Sequence, residues 1–391
     1  MELLNSRHKD PPTMTKQKTI IIDDAIPYAK AIFSHLGEVV TLPGKSIDAA
    51  AVKHADALIV RSRTQVNAAL LKGSSVQFVG STVVGLDHID QTYLKDNRIE
   101  FYSAQGCNAN SVAEFVISAL FDLAETKQFD LTQKTLGIIG VGHVGSLVYE
   151  KATLLGIPCL LNDPPKQRQQ ALENQQGIFV DLETSLKADI ITLHTPLTQT
   201  GQDATLDLLS AERLAKILPH QIIINAARGG IINEAAWSKT PTLANVIDCW
   251  ENEPNISESL YKTSYLATPH IAGHSLEAKV AGSEMVYKTL CEFWEIAAQQ
   301  AWKKELPSAP PEIVISENDS TQAILNRIFK KTHDSHQDDA AIRADSMTEI
   351  HKKYELYRRN FPIYREWHCH SVHETNDNNV NNLLRTLGFR C

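Results

Sequence analysis

Thr135-Leu136-Gly137-Ile138-Ile139-Gly140-Val141-Gly142-His143-Val144-Gly145 is the stretch on which the fold turns. An apolar run gives way to glycines spaced GxGxxG and then to a helical pattern, which reads as strand, tight turn, helix. Gly140 turns the chain, Gly142 leaves the backbone bare for a pyrophosphate, and Gly145 lets helix and strand approach. The next apolar run, Cys159-Leu160-Leu161-Asn162-Asp163, ends about 20 residues on in a carboxylate that can bond both hydroxyls of an adenosine ribose. A carboxylate repels a 2′-phosphate, so the pair of features predicts NAD as cofactor.

The same rhythm extends in both directions. Asp189–Leu193, Gln221–Asn225 and Asn245–Asp248 are further apolar runs after the glycine turn, and Thr19–Asp23, Ala57–Arg61 and Val76–Gly80 precede it. Helical patterns lie between, such as Pro27–Leu36, and Asn110–Lys127 carries Val112, Phe115, Val116, Ala119, Leu120 and Leu123 on one face. Alternation of this kind predicts βαβ units, parallel sheets covered on both faces, and an α/β fold in two domains. Ligands of such folds sit at the carboxyl ends of the strands, and a cleft between the domains is expected.

Near residue 300 the character changes. Leu306-Pro307-Ser308-Ala309-Pro310-Pro311 reads as a stiff linker to a small third domain, with a helix over Thr321–Lys331 and a basic, aromatic stretch over Lys352–Trp367. Trp367-His368-Cys369-His370-Ser371-Val372-His373 crowds metal-binding residue types. Alternation on a strand would put His368 and His370 opposite Cys369, so a surface strand and no metal site are expected.

Composition excludes several classes. Lys and Arg total 38 against 46 Asp and Glu, a net charge of −8 that disfavours general nucleic-acid binding. No apolar run approaches the roughly 20 residues needed to span a bilayer. Six scattered cysteines read as reduced thiols of a cytoplasmic protein. Met1–Gln17 reads as a flexible extension without signal-peptide character, with Met14 as an alternative start.

Three polar residues follow strands of the second series. Asn225-Ala226-Ala227-Arg228-Gly229-Gly230 places Arg228 past one strand end, Asp248-Cys249-Trp250-Glu251-Asn252-Glu253-Pro254 follows the next, and Ala267-Thr268-Pro269-His270-Ile271-Ala272-Gly273 presents a histidine. Oxidising a secondary alcohol requires a base for the hydroxyl proton and a fixed cation for a neighbouring carboxylate. His270 suits the first task and Arg228, with its planar fork, the second. Glu253 can orient the imidazole and favour its protonated form.

In this order the glycine turn, His194-Thr195-Pro196-Leu197, and the Arg228, Glu253 and His270 segments resemble the NAD-dependent D-2-hydroxyacid dehydrogenases. The resemblance implies an Arg228–Glu253–His270 relay, nicotinamide-side contacts at Thr195, Asp248 and Gly273, and backbone contacts around His143, Val144 and Ala226, Ala227 and Arg228. It also implies a Rossmann-type NAD-binding domain over 113–275 and a flavodoxin-like split substrate domain over 18–112, rejoined by a return helix over 276–304.

Further segments narrow the likeness to one branch of that family. These are Asp23–Ala29, Val60–Thr64, Gly85–Asp90, Gln105–Ala109 and Asn162–Pro165, with Asp338-Asp339-Ala340, Tyr357–Phe361 and Arg365-Glu366-Trp367 beyond the linker. That branch carries a small α+β C-terminal dimerisation domain, here over 305–391, so a homodimer is implied. Its reaction is oxidation of 4-phospho-D-erythronate at C2 in pyridoxal 5′-phosphate synthesis. Substrate contacts then fall on Ser62, Val83 and His274; backbone amides near Ser62, with Arg61 or Arg63, can complete a phosphate cradle, whereas Arg358 and Arg359 read first as a solvated basic helix face and only secondarily as a reach into the site. Val83 stands where threonine is common in the family, His274 where tyrosine is frequent, and Ala25 where asparagine is. The rival readings are another D-2-hydroxyacid dehydrogenase, such as a 3-phosphoglycerate enzyme, and an NAD-sensing binding protein of the same superfamily.

Overall fold

Short runs of branched apolar residues form the strands, because such side chains pack well on a pleated surface buried on both faces. The computed structural model describes residues 17–173, 177–315 and 319–391. The expected extension over Met1–Gln17 lies outside them except for Gln17. Two compact units emerge: the described residues through Gln105 with Gly282–Leu306, and those of Gly106–Ala281 with Pro307–Cys391.

The first unit contains β1 (Thr19–Asp23), β2 (Glu38–Leu42), β3 (Ala57–Val60), β4 (Phe78–Ser81) and β5 (Glu100–Ser103). They pair in parallel in the order β2-β1-β3-β4-β5, the flavodoxin-like arrangement. Neither edge strand stands out in the sequence. β2 and β5 each begin with an exposed glutamate and are only partly buried, so they lack an unbroken apolar run. A Cβ on Gly80 would lie 2.3 Å from Val286, so the absent side chain lets the helix Leu276–Phe293 close on β4.

The second unit is built on β6 (Leu136–Ile139), β7 (Cys159–Asn162), β8 (Ile190–Leu193), β9 (Ile222–Asn225), β10 (Ala244–Ile247) and β11 (Leu266–Ala267). All run parallel in the order β11-β10-β9-β8-β6-β7, and Phe179 forms a parallel bridge to Leu161 outside β7. With that bridge counted as a strand position, the sheet reads as a Rossmann order with one added edge strand.

The tail shares this unit's core. Ile324, Leu325, Ile328 and Phe329 of the helix Thr321–Thr332 join one cluster with Phe115, Leu120 and Leu136. Ile342, Ile350 and Tyr354 join the cluster on the other side with Trp237, Trp250 and Tyr261. Tail docking explains why the helix Ala109–Lys127 is also buried away from its apolar stripe. Its Glu114 accepts from the Trp367 amide at 3.0 Å, and its Asp122 accepts from His336 Nε2 and the Tyr265 hydroxyl, each at 2.6 Å, and from Lys330. Burial would raise the Asp122 carboxyl, but these donors hold it well below the usual carboxylate range.

Trp367–Cys369 forms a 3₁₀ turn, correcting the expected surface strand. The Trp367 ring stacks on Phe329 at 4.3 Å and on Phe389 at 5.4 Å, and this packing draws Cys369 and His370 inside. Elsewhere in the tail, strand pairing among the described residues is limited to single bridges, Ile313 to Val372 and Ser371 to Arg390. Phe329→Ala should destabilise the protein by about 3–5 kcal/mol, the usual cost of emptying a buried aromatic site. Urea unfolding measures it, and an unchanged midpoint would contradict the shared core.

Candidate active site

Gly140 follows β6 with φ +85, and a Cβ there would lie 2.8 Å from the Thr195 amide nitrogen. A Cβ on Gly145 would come within 2.0 Å of the Gly140 carbonyl oxygen. Gly142 differs: nothing lies within 4 Å of its Cβ position. It caps the helix His143–Leu154 without a side-chain bond, leaving amides and a positive helix end beside open space. Val144 is partly buried on that first turn, and His143 is exposed. Asp163 closes the neighbouring strand, with Oδ2 accepting from the Val141 amide at 2.9 Å and Oδ1 from the Lys166 amide at 3.1 Å. Across the turn the Thr195 hydroxyl is buried without a hydrogen-bond partner among the described residues. Open space at Gly142, an orphaned hydroxyl and a strand-end carboxylate together fit NAD.

Arg228, Glu253 and His270 follow β9, β10 and β11, three neighbouring strands, at their carboxyl ends. Asn225 shapes the first segment: its amide donates to the carbonyls of Arg228 at 3.0 Å and Cys249 at 3.1 Å, and its Oδ1 accepts from the Ala227 amide. Ala226 and Ala227 are buried, and Arg228 Nη1 donates to the Ala227 carbonyl at 2.7 Å. Gly229 is required by close approach, since a Cβ would sit 2.1 Å from the Trp250 oxygen.

His270 Nδ1 meets both Glu253 oxygens, at 3.0 and 2.9 Å, and Glu253 Oε1 also accepts from the Trp250 amide at 2.9 Å. Burial would raise the Glu253 carboxyl. The charge and hydrogen bond of His270, the Trp250 amide and the Arg358 guanidinium instead bring it down to about 2. With Nδ1 engaged by a carboxylate, Nε2 is the ring nitrogen left to exchange a proton with a ligand.

The histidine segment is fixed by Asp248. Its buried carboxylate accepts from the Thr268 hydroxyl and Ile271 amide, both at 2.7 Å, and from the Ala272 amide at 3.2 Å. Burial pushes that carboxyl up, against the His270 charge and these donors. Gly273 passes close to Asn108, whose Nδ2 would lie 2.3 Å from a Cβ. His274 packs edge-to-face on Phe361 at 5.7 Å.

Ser62 and Val83 belong to the first unit, in the segments that follow β3 and β4. Ser62 is exposed, and the Val83 carbonyl accepts from the Ser81 and Ser103 hydroxyls, both at 3.2 Å. β4 ends at Ser81, so Thr82 and Val83 lie just beyond the strand. Among the described residues no three His, Cys, Asp or Glu side chains gather as metal ligands would, and no helix is long and apolar enough to cross a membrane.

Residues 113–272 match the family model for the D-isomer specific 2-hydroxyacid dehydrogenase NAD binding domain. An erythronate-4-phosphate dehydrogenase of Hydrogenovibrio crunogenus is 59% identical over 96% of this chain and 100% of its own length. The chain belongs to the erythronate-4-phosphate dehydrogenase family. A second member, from Ruthia magnifica, is 50% identical over 89% of this chain and 96% of its own. Among solved structures, the NAD-bound 3-phosphoglycerate dehydrogenase of Entamoeba histolytica is 24% identical with a TM-score of 0.59, covering 71% of this chain and 96% of that one. The NAD-bound formate dehydrogenase of Staphylococcus aureus is 21% identical, also with a TM-score of 0.59, covering 73% and 98%. These two likenesses show the fold. As a member of the erythronate-4-phosphate dehydrogenase family the protein is an NAD-dependent oxidoreductase, and the matched stretch contains the glycine turn, Arg228, Glu253 and His270.

Sequence patterns pass over Asn225, Asn108 and Glu234. Asn225 has a signal, a polar residue closing an otherwise apolar strand, but Glu234 has none. It is buried and accepts from the Glu251 amide at 2.6 Å, steadying the loop that carries Glu253. Burial, reinforced by the charges of Glu251 and Glu253, raises its carboxyl from 4.5 to about 7, although the Glu251 amide opposes this. A raised carboxyl favours folding fully below the unfolded value and loses that contribution as pH rises through the folded one. Glu234→Gln, which keeps the acceptor, should therefore gain about 1–2 kcal/mol on the parent between about pH 5 and pH 8. Denaturant melts at both pH values measure this, and parallel curves would contradict it.

Proposed function

We propose that the protein oxidises the C2 hydroxyl of 4-phospho-D-erythronate to give (R)-3-hydroxy-2-oxo-4-phosphooxybutanoate, in pyridoxal 5′-phosphate synthesis. The observation that carries this reading is the bidentate contact between Glu253 and His270 at the strand end next to Arg228, in a chain so similar to full-length family members. His270 Nε2 takes the hydroxyl proton as the C2–H bond breaks and the C2–O bond gains double-bond character. Bound NAD supplies the hydride acceptor. Glu253, ionised across the working range, stabilises the imidazolium that forms. Arg228 pairs with the substrate carboxylate and polarises the forming carbonyl.

The remaining assignments belong to the same reading. Gly140, Gly142, Gly145, His143 and Val144 line the pyrophosphate, Asp163 takes the ribose, and Thr195, Ala226, Ala227, Asp248 and Gly273 border the nicotinamide side. Ser62, Val83 and His274 contact substrate, with Val83 offering an apolar wall and Ser62, beside Arg61 or Arg63, facing the phosphate. In this reading the chain divides into a substrate domain over 18–112, an NAD domain over 113–275, a return helix over 276–304 and a dimerisation domain over 305–391, in a cytoplasmic enzyme.

NADH formation with 4-phosphoerythronate, run with a 2-oxo acid to regenerate NAD and with direct detection of product, tests the reaction. The parent should prefer this substrate to 3-phosphoglycerate, and His270→Ala should lower kcat about 1000-fold or more. Preference for 3-phosphoglycerate, or an unaffected His270→Ala, would remove the reading.

A homodimer formed through the tail is part of this proposal, supported by Leu356 at 61% and Ile363 at 70% exposure. Sedimentation equilibrium should give twice the 43.4 kDa chain mass. A monomer at assay concentrations would sink it.

A further inference from the structure

The histidine segment is bordered by the tail along its whole length. Arg358, in the last turn of the helix Met347–Arg359, donates from Nε to the His270 carbonyl at 3.2 Å. Phe361 meets His274, and the Tyr364 hydroxyl donates to the Ala272 carbonyl at 3.0 Å. One turn before Arg358, Tyr354 is buried to 1% exposure in the cluster that holds Trp250 and Tyr261. This anchor fixes where the Arg358 side chain leaves the helix.

His270 needs such a support. Its φ of +56 is a left-handed conformation that a side-chain-bearing residue keeps only when its surroundings hold it there. Asp248 holds the amides on one side of the residue, at Ile271 and Ala272, and Arg358 holds its carbonyl. No carboxylate pairs with Arg358 within salt-bridge distance among the described residues, and its charge is felt at Glu253 and Cys249.

We propose that Arg358 is a positioning residue for the His270–Glu253 relay, holding the His270 backbone from the tail, so that the tail is a working wall of the active site. The inference rests on the relay reading given above. A cation in the last turn of a helix is also favoured by the helix dipole alone. Arg359 supplies the comparison: it shares that helix end but is exposed.

The electrostatic sign follows from the groups around the relay. Arg228 after β9, Asp248, Cys249, Glu251 and Glu253 after β10, Glu234 behind that loop, and Tyr354 and Arg358 on the tail helix are the ionisable neighbours. Carboxylates outnumber cations there. Removing the Arg358 charge makes the relay easier to protonate and moves the acid limb of kcat/KM to higher pH.

The test compares full-length parent, Arg358→Gln, Arg358→Lys, Arg359→Gln and His270→Ala in the coupled assay from about pH 6 to pH 9. Arg358→Gln should lower kcat about 10–100-fold, with the acid limb displaced upward by about half a pH unit and NAD affinity within about twofold of the parent. Arg358→Lys should restore the limb and part of kcat, and Arg359→Gln should match the parent. NAD affinity and thermal melting of each variant report on folding, and the lysine variant keeps the test open if the glutamine variant unfolds. The inference is overturned if Arg358→Gln keeps parental kcat and profile. It is equally overturned if Arg359→Gln falls as far, or if Arg358→Lys leaves the limb unrestored. An active His270→Ala would instead defeat the relay itself, whereas an inactive His270→Ala beside a normal Arg358→Gln defeats only the role of the tail.

Discussion

The carboxylate of Asp248 joins the end of β10 to the segment leaving β11, and the geometry around His270 depends on it. That segment leaves the sheet, so its amides have no ladder partners and must be satisfied otherwise. Asp248 supplies acceptors to Thr268, Ile271 and Ala272, on both sides of the histidine. The imidazole is thereby directed at Glu253, which the Trp250 amide holds in turn. A side chain poised in this way exchanges protons without first reorganising its surroundings.

Environment separates the acids in this region into different tasks. Glu253, facing His270, is drawn down to about 2 despite its burial, while Glu234, facing only a backbone amide and two like charges, is raised to about 7. Asp248 is pushed upward by complete burial, and its hydrogen bonds limit that rise. The contrast arises from partners more than from depth: all three are largely hidden, and of the three only Glu253 is hydrogen-bonded to the His270 imidazole, whose charge Asp248 feels without a hydrogen bond.

Much of this arrangement is legible in the sequence because its physics is local. The glycine turn, Asp163 and the residues after each strand of the second series follow from strand ends and from what a bare backbone permits. Strand limits shift by a residue or two where polar residues close the runs. β2 and β5 escape notice because edge strands tolerate charge and need no continuous apolar face. The tail is the least legible part. Periodicity gives the helix Ala109–Lys127 one buried face, whereas Glu114 and Asp122 are buried by residues more than two hundred positions away. The turn at Trp367–Cys369 has the alternation of a strand but not its fate, because packing of Trp367 against Phe329 and Phe389 decides its path.

The hydrogen bonds from Arg358 to His270, from Tyr364 to Ala272 and from Trp367 to Glu114 span 88, 92 and 253 residues. A nascent chain that has already emerged through β11 still lacks the groups that border its histidine segment. Loops closed over such distances form late. Ribosomal synthesis must therefore run nearly to its end before the site is whole, and a chain stalled after the Rossmann sheet would display unpaired carboxylates and bare aromatic surface to the cell's proteases.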